Sequence, residues 1–135
     1  MKFLKRVDHL FPVSLSEKEN IAELENKLNT YGTLGIVRED CKIISLCAGY
    51  ANDDMNRFAY ISVVASLPEY TGKGYGKLAV QNFIDKAKKK KMKAVHLYAV
   101  KDNIPAIRMY ENLGFVDYVL ENEPRPKDRH LILYL

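Results

Sequence analysis

Apolar residues recur along the chain with two different periods, and the change of period marks its elements. Phe3, Leu4, Val7, Leu10 and Phe11 form a short helical pattern that Pro12 ends. Ser16 with Glu19 makes a capping-box signature, and Ile21, Leu24, Leu28 and Tyr31 follow at helical spacing until Gly32. The pattern then shortens. Residues 33–38 and 41–50 read as two strands joined at Glu39-Asp40, and 51–56 is a polar turn cluster. Residues 57–67 make a central strand. From Leu78 to about Lys90 the helical period returns, with Leu78, Ala79, Val80, Phe83, Ile84 and Ala87 on one face and lysines on the other. Residues 94–100 read as a strand and 103–113 as a short helix. Residues 115–120 and 130–135 read as a closing antiparallel pair. The order α-α-β-β-β-α-β-α-β-β predicts a single α/β domain over residues 1–135: a mixed central sheet flanked by helices, with a mainly helical N-terminal part.

The junction between the central strand and the long helix carries candidate chemistry. It reads Tyr70-Thr71-Gly72-Lys73-Gly74-Tyr75-Gly76-Lys77. Glycines let the backbone approach an anion without Cβ clashes. The N–H groups at a helix start lack intrahelical partners and point at it, while the helix dipole, Lys73 and Lys77 add positive potential. The ligand expected here carries phosphate, a pyrophosphate by preference. The spacing is not that of a P-loop, which needs Gly-Lys-Ser/Thr after its four-residue interval. Gly74-x-Gly76-x-x-Ala79 does satisfy a looser dinucleotide fingerprint, although Asp102 falls too late to be its acidic partner. Taken alone, the segment also fits a plain glycine-rich turn.

A second segment, Asn103 to Phe115, narrows the choice. Asn103 is a good N-cap, Pro105 sits in the first turn and Gly114 is a natural stop. Asn103, Ala106 and Tyr110 share a helical face, where a small residue between an amide and a phenol leaves room for a slender ligand. By itself this stripe fits a core face equally well. Together the two segments resemble the GNAT superfamily of acetyl-CoA-dependent N-acetyltransferases. Thr71-x-x-Gly74-x-Gly76 stands where that family has Arg/Gln-x-x-Gly-x-Gly/Ala. Asn103, Ala106, Tyr110, Gly114 and Phe115 match its Asn-x-x-Ala-x-x-x-Tyr-x-x-x-Gly-Phe helix. The resemblance is clear over residues 59–115. It departs at Thr71, whose hydroxyl would replace the usual Arg or Gln side chain, and at the N terminus, where the family's first strand is missing.

The resemblance implies a GNAT-like fold and transfer of an acetyl group from acetyl-CoA to an amine acceptor that attacks directly. It implies that Val64, Ala65 and Ser66 pair with the pantetheine arm. The diphosphate would lie on Thr71, Gly72, Lys73, Gly74, Tyr75, Gly76 and Lys77, and Asn103 and Ala106 would contact the cofactor arm. Tyr110 matches the tyrosine that protonates the leaving thiolate, and a phenol with a pKa near ~10 suits that role. The family's basic glutamate would fall at Tyr98, which is no carboxylate. His96, two residues earlier on the same strand face, has an ordinary pKa of about 6.5 and is a candidate base; Asp53, Asp54, Glu69 or a water relay are alternatives. The missing carboxylate leaves open a GNAT-like module that binds acyl-CoA without catalysis.

Composition sets the outer limits. The 135 residues carry a net charge of +4, much of it from Lys86, Lys88, Lys89, Lys90, Lys91 and Lys93. That run closes the long helix, where cations complement the dipole. It has no interleaved aromatics to stack bases, so no nucleic-acid partner is expected. No apolar stretch spans a bilayer and no signal peptide opens the chain, which predicts a cytoplasmic protein without a membrane partner. Cys41 and Cys47 lie six apart in one expected strand, on the same side yet too distant to bond. They read as inert thiols, and no metal site is expected. The sequence leaves a homodimer open and the acceptor unidentified.

Overall fold

The computed structural model describes residues 32–40, 42–53 and 55–135. The two helices expected before Gly32, and with them the mainly helical N-terminal part, lie outside the described residues, as do Cys41 and Asp54. The rest follows the predicted order. Strand β1 is Thr33–Glu39, β2 is Lys42–Tyr50 and β3 is Phe58–Ser66. A 3₁₀ turn at Pro68–Tyr70 leads to helix α1, Tyr75–Lys89. Then come β4, Ala94–Val100; α2, Ile104–Asn112; β5, Val116–Asp117; and β6, Asp128–Tyr134. The six strands lie in the order β1-β2-β3-β4-β6-β5. All neighbours are antiparallel except β3 and β4.

Two boundaries differ from the sequence reading for physical reasons. Helix α1 starts at Tyr75, three residues before Leu78, because Gly74 takes the left-handed conformation (φ +84°) and serves as its N-cap. Gly76 and Lys77 are therefore in the first helical turn. The strand expected over residues 115–120 shrinks to Val116–Asp117 at the sheet edge. Its side chains are exposed, so little apolar burial extends it, and short edge strands limit unwanted pairing.

The apolar face of α1 packs on the sheet through Ala79, Val80, Phe83, Ile84 and Ala87, all buried. Burial of a side chain the size of Phe83 contributes roughly 1.5–3 kcal/mol. The Asn82 side-chain amide donates to the Ile36 carbonyl at 2.9 Å, which fixes the helix over β1.

The strands that position the site are β2, β3 and β4. Opposite β2, Ile61 pairs with Gly49 and Val63 with Ala48, which leaves Ser62 as an extra residue: a β-bulge. On the other side, the parallel pairing runs from Phe58↔Ala94 to Ile61↔Leu97 and stops there. The bulge and the loss of pairing coincide, and beyond them β3 and β4 part. Gly49 makes this bend feasible. A Cβ at that position would lie 1.9 Å from the Tyr60 carbonyl oxygen and 2.9 Å from Ile61 Cα. Backbone cannot yield as a flexible side chain would, so Gly49→Ala should destabilise the protein by about 3 kcal/mol, an overpacking cost. Urea unfolding of the two proteins measures the difference; a loss below about 0.5 kcal/mol, typical of a neutral surface change, would refute this account of the bulge.

Candidate active site

Where β3 and β4 diverge, a cavity of about 550 Å³ opens between β3, the glycine loop, the start of α1 and one face of α2. Parallel strands of an α/β sheet place ligand sites beyond their carboxyl ends, and this cavity lies there. Its walls combine three kinds of surface.

The first is strand edge. Val64, Ala65 and Ser66 line the cavity. Past Ile61 the β4-facing edge of β3 has no ladder partner in the sheet, so its amide and carbonyl groups are available to a ligand that carries amides of its own. The Ser66 and Ser45 hydroxyls lie 2.9 Å apart, which ties the end of β3 to β2.

The second is an anion cradle. Thr71, Gly72, Gly74, Tyr75, Gly76 and Lys77 all line the cavity. Gly72 and Gly74 have φ of +79° and +84°, which brings the chain sharply into α1. Gly74 offers no side-chain cap to the helix, and the first helical bond is made by Leu78 N–H to the Gly74 carbonyl at 3.2 Å. The N–H groups of Tyr75, Gly76 and Lys77 are thus left for a ligand. The Thr71 hydroxyl donates to the Leu67 carbonyl at 3.3 Å, so its proton is committed within the loop. Lys73 is not among the lining residues; its Nζ lies 6.0 Å from the ring centre of Tyr70, at the rim.

The third surface is α2. The Asn103 carboxamide accepts from Ala106 N–H at 3.4 Å and caps the helix, and both residues line the cavity. The face turned to it is centred on Pro105, Met109 and Asn112, with Arg108 beside them. Tyr110 lies one position further round and turns toward the sheet. It is 7% exposed, packs edge-on to Phe115 at 5.7 Å, and interacts with the Cys47 thiol. Cys47 pairs with Val64, so the phenol reaches the sheet beside a strand position that lines the cavity. Burial raises the Tyr110 pKa well above the usual phenol range and does the same for the Cys47 thiol. Both keep their protons at neutral pH. Among the described residues the Tyr110 hydroxyl has no hydrogen-bond partner, an unusual state for a buried polar group and one that a ligand atom would relieve.

The structure therefore gathers eleven of the twelve residues expected to contact a cofactor, leaves Lys73 at the rim and puts Tyr110 behind the wall. Sequence reasoning missed Tyr70, Pro105, Arg108, Met109 and Asn112. The α2 residues were legible as an i, i+3, i+4, i+7 set from Pro105, one step round from the Asn103–Ala106–Tyr110 stripe.

His96 and Tyr98 are placed elsewhere. Both belong to the opposite face of the sheet, in a cluster with His130, Tyr118 and Glu123. The Tyr98 hydroxyl donates to Glu123 Oε1 at 2.6 Å, and burial with this bond pushes its pKa up to about 12. Tyr98 thus stays protonated and holds a carboxylate in place. Burial raises the Glu123 pKa, but hydrogen bonds from Tyr98, the Arg125 N–H and His130 outweigh it and bring the group to about 2. Burial, reinforced by neighbouring His130 and opposed by Glu123, lowers His96 to about 4. Among the described residues no His, Cys, Asp and Glu cluster suits a metal ion, and no helix is long and apolar enough to cross a membrane.

A glycine-capped helix N-terminus facing the gap in a parallel strand pair sets free N–H groups beside an unpaired strand edge. The family model for the acetyltransferase (GNAT) family matches residues 3–115, and the chain belongs to this family. Solved acetyltransferase structures share the fold. An acetyltransferase of the GNAT family from Staphylococcus aureus Mu50 is 15% identical, with 98% of this chain and 89% of that one covered and a TM-score of 0.75. A GNAT family acetyltransferase from Elizabethkingia anophelis with acetyl-CoA bound is 19% identical, over 84% and 82% of the chains, at 0.70. Spermidine N-acetyltransferase from Vibrio cholerae, in complex with CoA and spermine, is 21% identical, over 85% and 73%, at 0.67. No curated protein matches the chain.

The part-buried cluster gives the protein an acid-sensitive stability. The unfolded chain protonates His96 near its ordinary 6.5 and the folded protein only near 4, so stability should fall as pH drops through that window. A further loss should follow between about 4.5 and 2, as the depressed Glu123 is protonated. Urea midpoints at pH 7.5, 5.5 and 4 measure this, and His96→Phe should flatten the upper part of the curve. A wild-type midpoint that does not move between pH 7.5 and 5.5 would contradict it.

Proposed function

We propose that this protein is an N-acetyltransferase that moves an acetyl group from acetyl-CoA to a primary amine by direct attack. The observation that carries the reading is the gap between β3 and β4, which opens onto the free N–H groups of α1. Those N–H groups, with Lys77, hold the diphosphate. The unpaired edge at Val64–Ser66 holds the amides of the pantetheine arm and orients the thioester carbonyl. Asn103, Ala106 and Met109 flank the arm, and Arg108 adds positive charge at the phosphate end. Tyr110 holds its proton for the sulfur as the C–S bond breaks. We further read residues 1–135 as one domain working in the cytoplasm, with which the free Cys47 thiol agrees. The second reading, an acyl-CoA-binding module without catalysis, draws on Tyr98, a protonated phenol where the family's glutamate would stand.

Isothermal titration with acetyl-CoA, with NAD as control, tests the donor site, and a panel of spermidine, a peptide with a free N-terminus and an amino sugar tests the acceptor. Saturable binding of acetyl-CoA alone is expected; no binding at millimolar ligand would overturn the proposal. Tyr110→Phe should keep acetyl-CoA affinity while turnover falls about 100-fold, the usual scale for a lost acid. Full turnover in that variant would remove Tyr110 from the chemistry, and binding without turnover in the wild type would favour the non-catalytic module.

Gly76→Ala separates affinity from stability. A Cβ there would meet only the Met109 sulfur at 3.7 Å and the Ser66 hydroxyl at 3.8 Å, both ordinary contacts. The variant should fold, gaining roughly 0.4–1 kcal/mol from the stiffer unfolded chain. The added methyl enters the cradle, so acetyl-CoA affinity should fall at least about tenfold, roughly 1.4 kcal/mol. Unchanged affinity would place the diphosphate elsewhere.

A further inference from the structure

The face of the sheet opposite α1 and α2 carries a chain of hydrogen bonds with one end open among the described residues. Gly35 meets α1 and pairs with Cys47; Gly49, two residues on from Cys47, pairs with Ile61, and Ile61 with Leu97. These positions share the helix-bearing face, so His96 and Tyr98 occupy the other. There His130 Nδ1 lies 2.8 Å from Glu123 Oε2, and His130 Nε2 lies 2.8 Å from His96 Nδ1.

The proton positions along this chain are fixed by the carboxylate. Ionised Glu123 only accepts, so His130 must carry its hydrogen on Nδ1. With its one ring hydrogen on Nδ1, His130 accepts at Nε2, which requires His96 to donate from Nδ1. Neutral His96 is left with a lone pair on Nε2, and no described residue bonds to that atom. Glu123 accepts three bonds within the protein, at Oε1 from Tyr98 and the Arg125 N–H and at Oε2 from His130. Among the described residues His96 Nε2 is the open end.

Its place in the fold gives that lone pair a use. His96 immediately precedes Leu97, the last residue of β4 paired to β3, so it stands about one strand step, ~3.3 Å along the chain, from the mouth of the gap. The ring is half-buried among Phe58, Tyr60 and Tyr118, with centroids at 6.2, 5.1 and 6.4 Å. Resting on the acetyl-transfer reading, we propose that Glu123, His130 and His96 form the proton relay of this enzyme, with His96 Nε2 taking the proton that the acceptor nitrogen sheds once it has bonded to the thioester carbon, directly or through one water. The acceptor enters as the free amine; its lone pair forms the N–C bond to the thioester carbonyl carbon, and the C–S bond breaks with its electron pair going to sulfur. Sulfur takes the Tyr110 proton, solvent restores the phenol, and His96 releases its own proton to solvent. His96 is the catalytic residue; His130 and Glu123 position it and share the charge it gains. Among the described residues the titratable and charged groups around it are Tyr60 on β3, Tyr98 on β4, His130 on β6, and Tyr118, Glu123 and Arg125 from the segment between β5 and β6. Burial keeps His96 Nε2 free of a proton at neutral pH, and the His130–Glu123 pair stabilises the charge the ring gains.

Nitrogen-15 NMR of the histidine rings in the full chain at pH 7.5 tests the relay without donor or amine, so its failure is separable from failure of the acetyl-transfer reading. Both His96 and His130 should carry hydrogen on Nδ1. Glu123→Gln should reverse both. The Arg125 N–H holds the carboxamide oxygen, the amide nitrogen then faces His130 Nδ1, and His96 must accept at Nδ1 and carry hydrogen on Nε2. With acetyl-CoA and whichever amine of the panel turns over, His96→Gln should lower kcat about 100-fold or more while acetyl-CoA affinity holds within about twofold. Glu123→Gln should lower kcat with KM for the amine kept. A wild-type His96 protonated on Nε2, or a His96→Gln variant within about threefold of wild-type kcat, would overturn the proposal.

Discussion

The site exists because two parallel strands stop pairing. Had β3 and β4 stayed in register past Ile61↔Leu97, the amides of Val64–Ser66 would have been consumed by the sheet. What separates the strands is a bulge at Ser62, and what permits the bulge is the absence of a side chain at Gly49, where the Tyr60 carbonyl would otherwise collide. A single glycine in β2 is thus upstream of the cleft, although it touches none of the lining residues that give the cleft its chemistry. The glycine loop depends on the same event, since β3 must end turned aside for Gly72 and Gly74 to bring α1 in with its N-terminus toward the gap.

The two faces of the sheet divide the work. The face under α1 and α2 offers neutral donors: backbone N–H groups, an amide cap and a phenol kept protonated by burial. The opposite face holds the Glu123 carboxylate, bonded by a phenol, a backbone N–H and an imidazole. Separating donors from the negative charge keeps that charge from weakening anion binding in the cradle while leaving it close enough to order two histidines.

Much of this was legible in the sequence. The glycines at 72, 74 and 76 and the Asn103–Pro105 helix start have local causes, so their elements could be read from spacing, while the acetyltransferase family was legible only through the resemblance of the two motifs together. Two things could not. The face of α2 that meets the cavity depends on how the helix is docked, and a rotation of one residue exchanged Tyr110 for Met109 at the wall. Glu123 sits in a polar connector with no periodicity, and His130 reads as an ordinary strand residue. Only the antiparallel pairing of Tyr98 with His130 brings them beside His96. Tyr98 was noticed for what it lacks, yet its function is to hold the carboxylate that another element supplies. The expected N-terminal helices fall outside the described residues.

The measurement that bears most directly on the central claim is amide hydrogen exchange with and without acetyl-CoA. The claim is that the unpaired edge of β3 and the first turn of α1 receive the donor. It predicts slowed exchange confined to peptides spanning Val64–Ser66 and Gly72–Lys77, with β1 and the β4–β6 ladder unchanged. Saturable binding that leaves those two segments unprotected would contradict it.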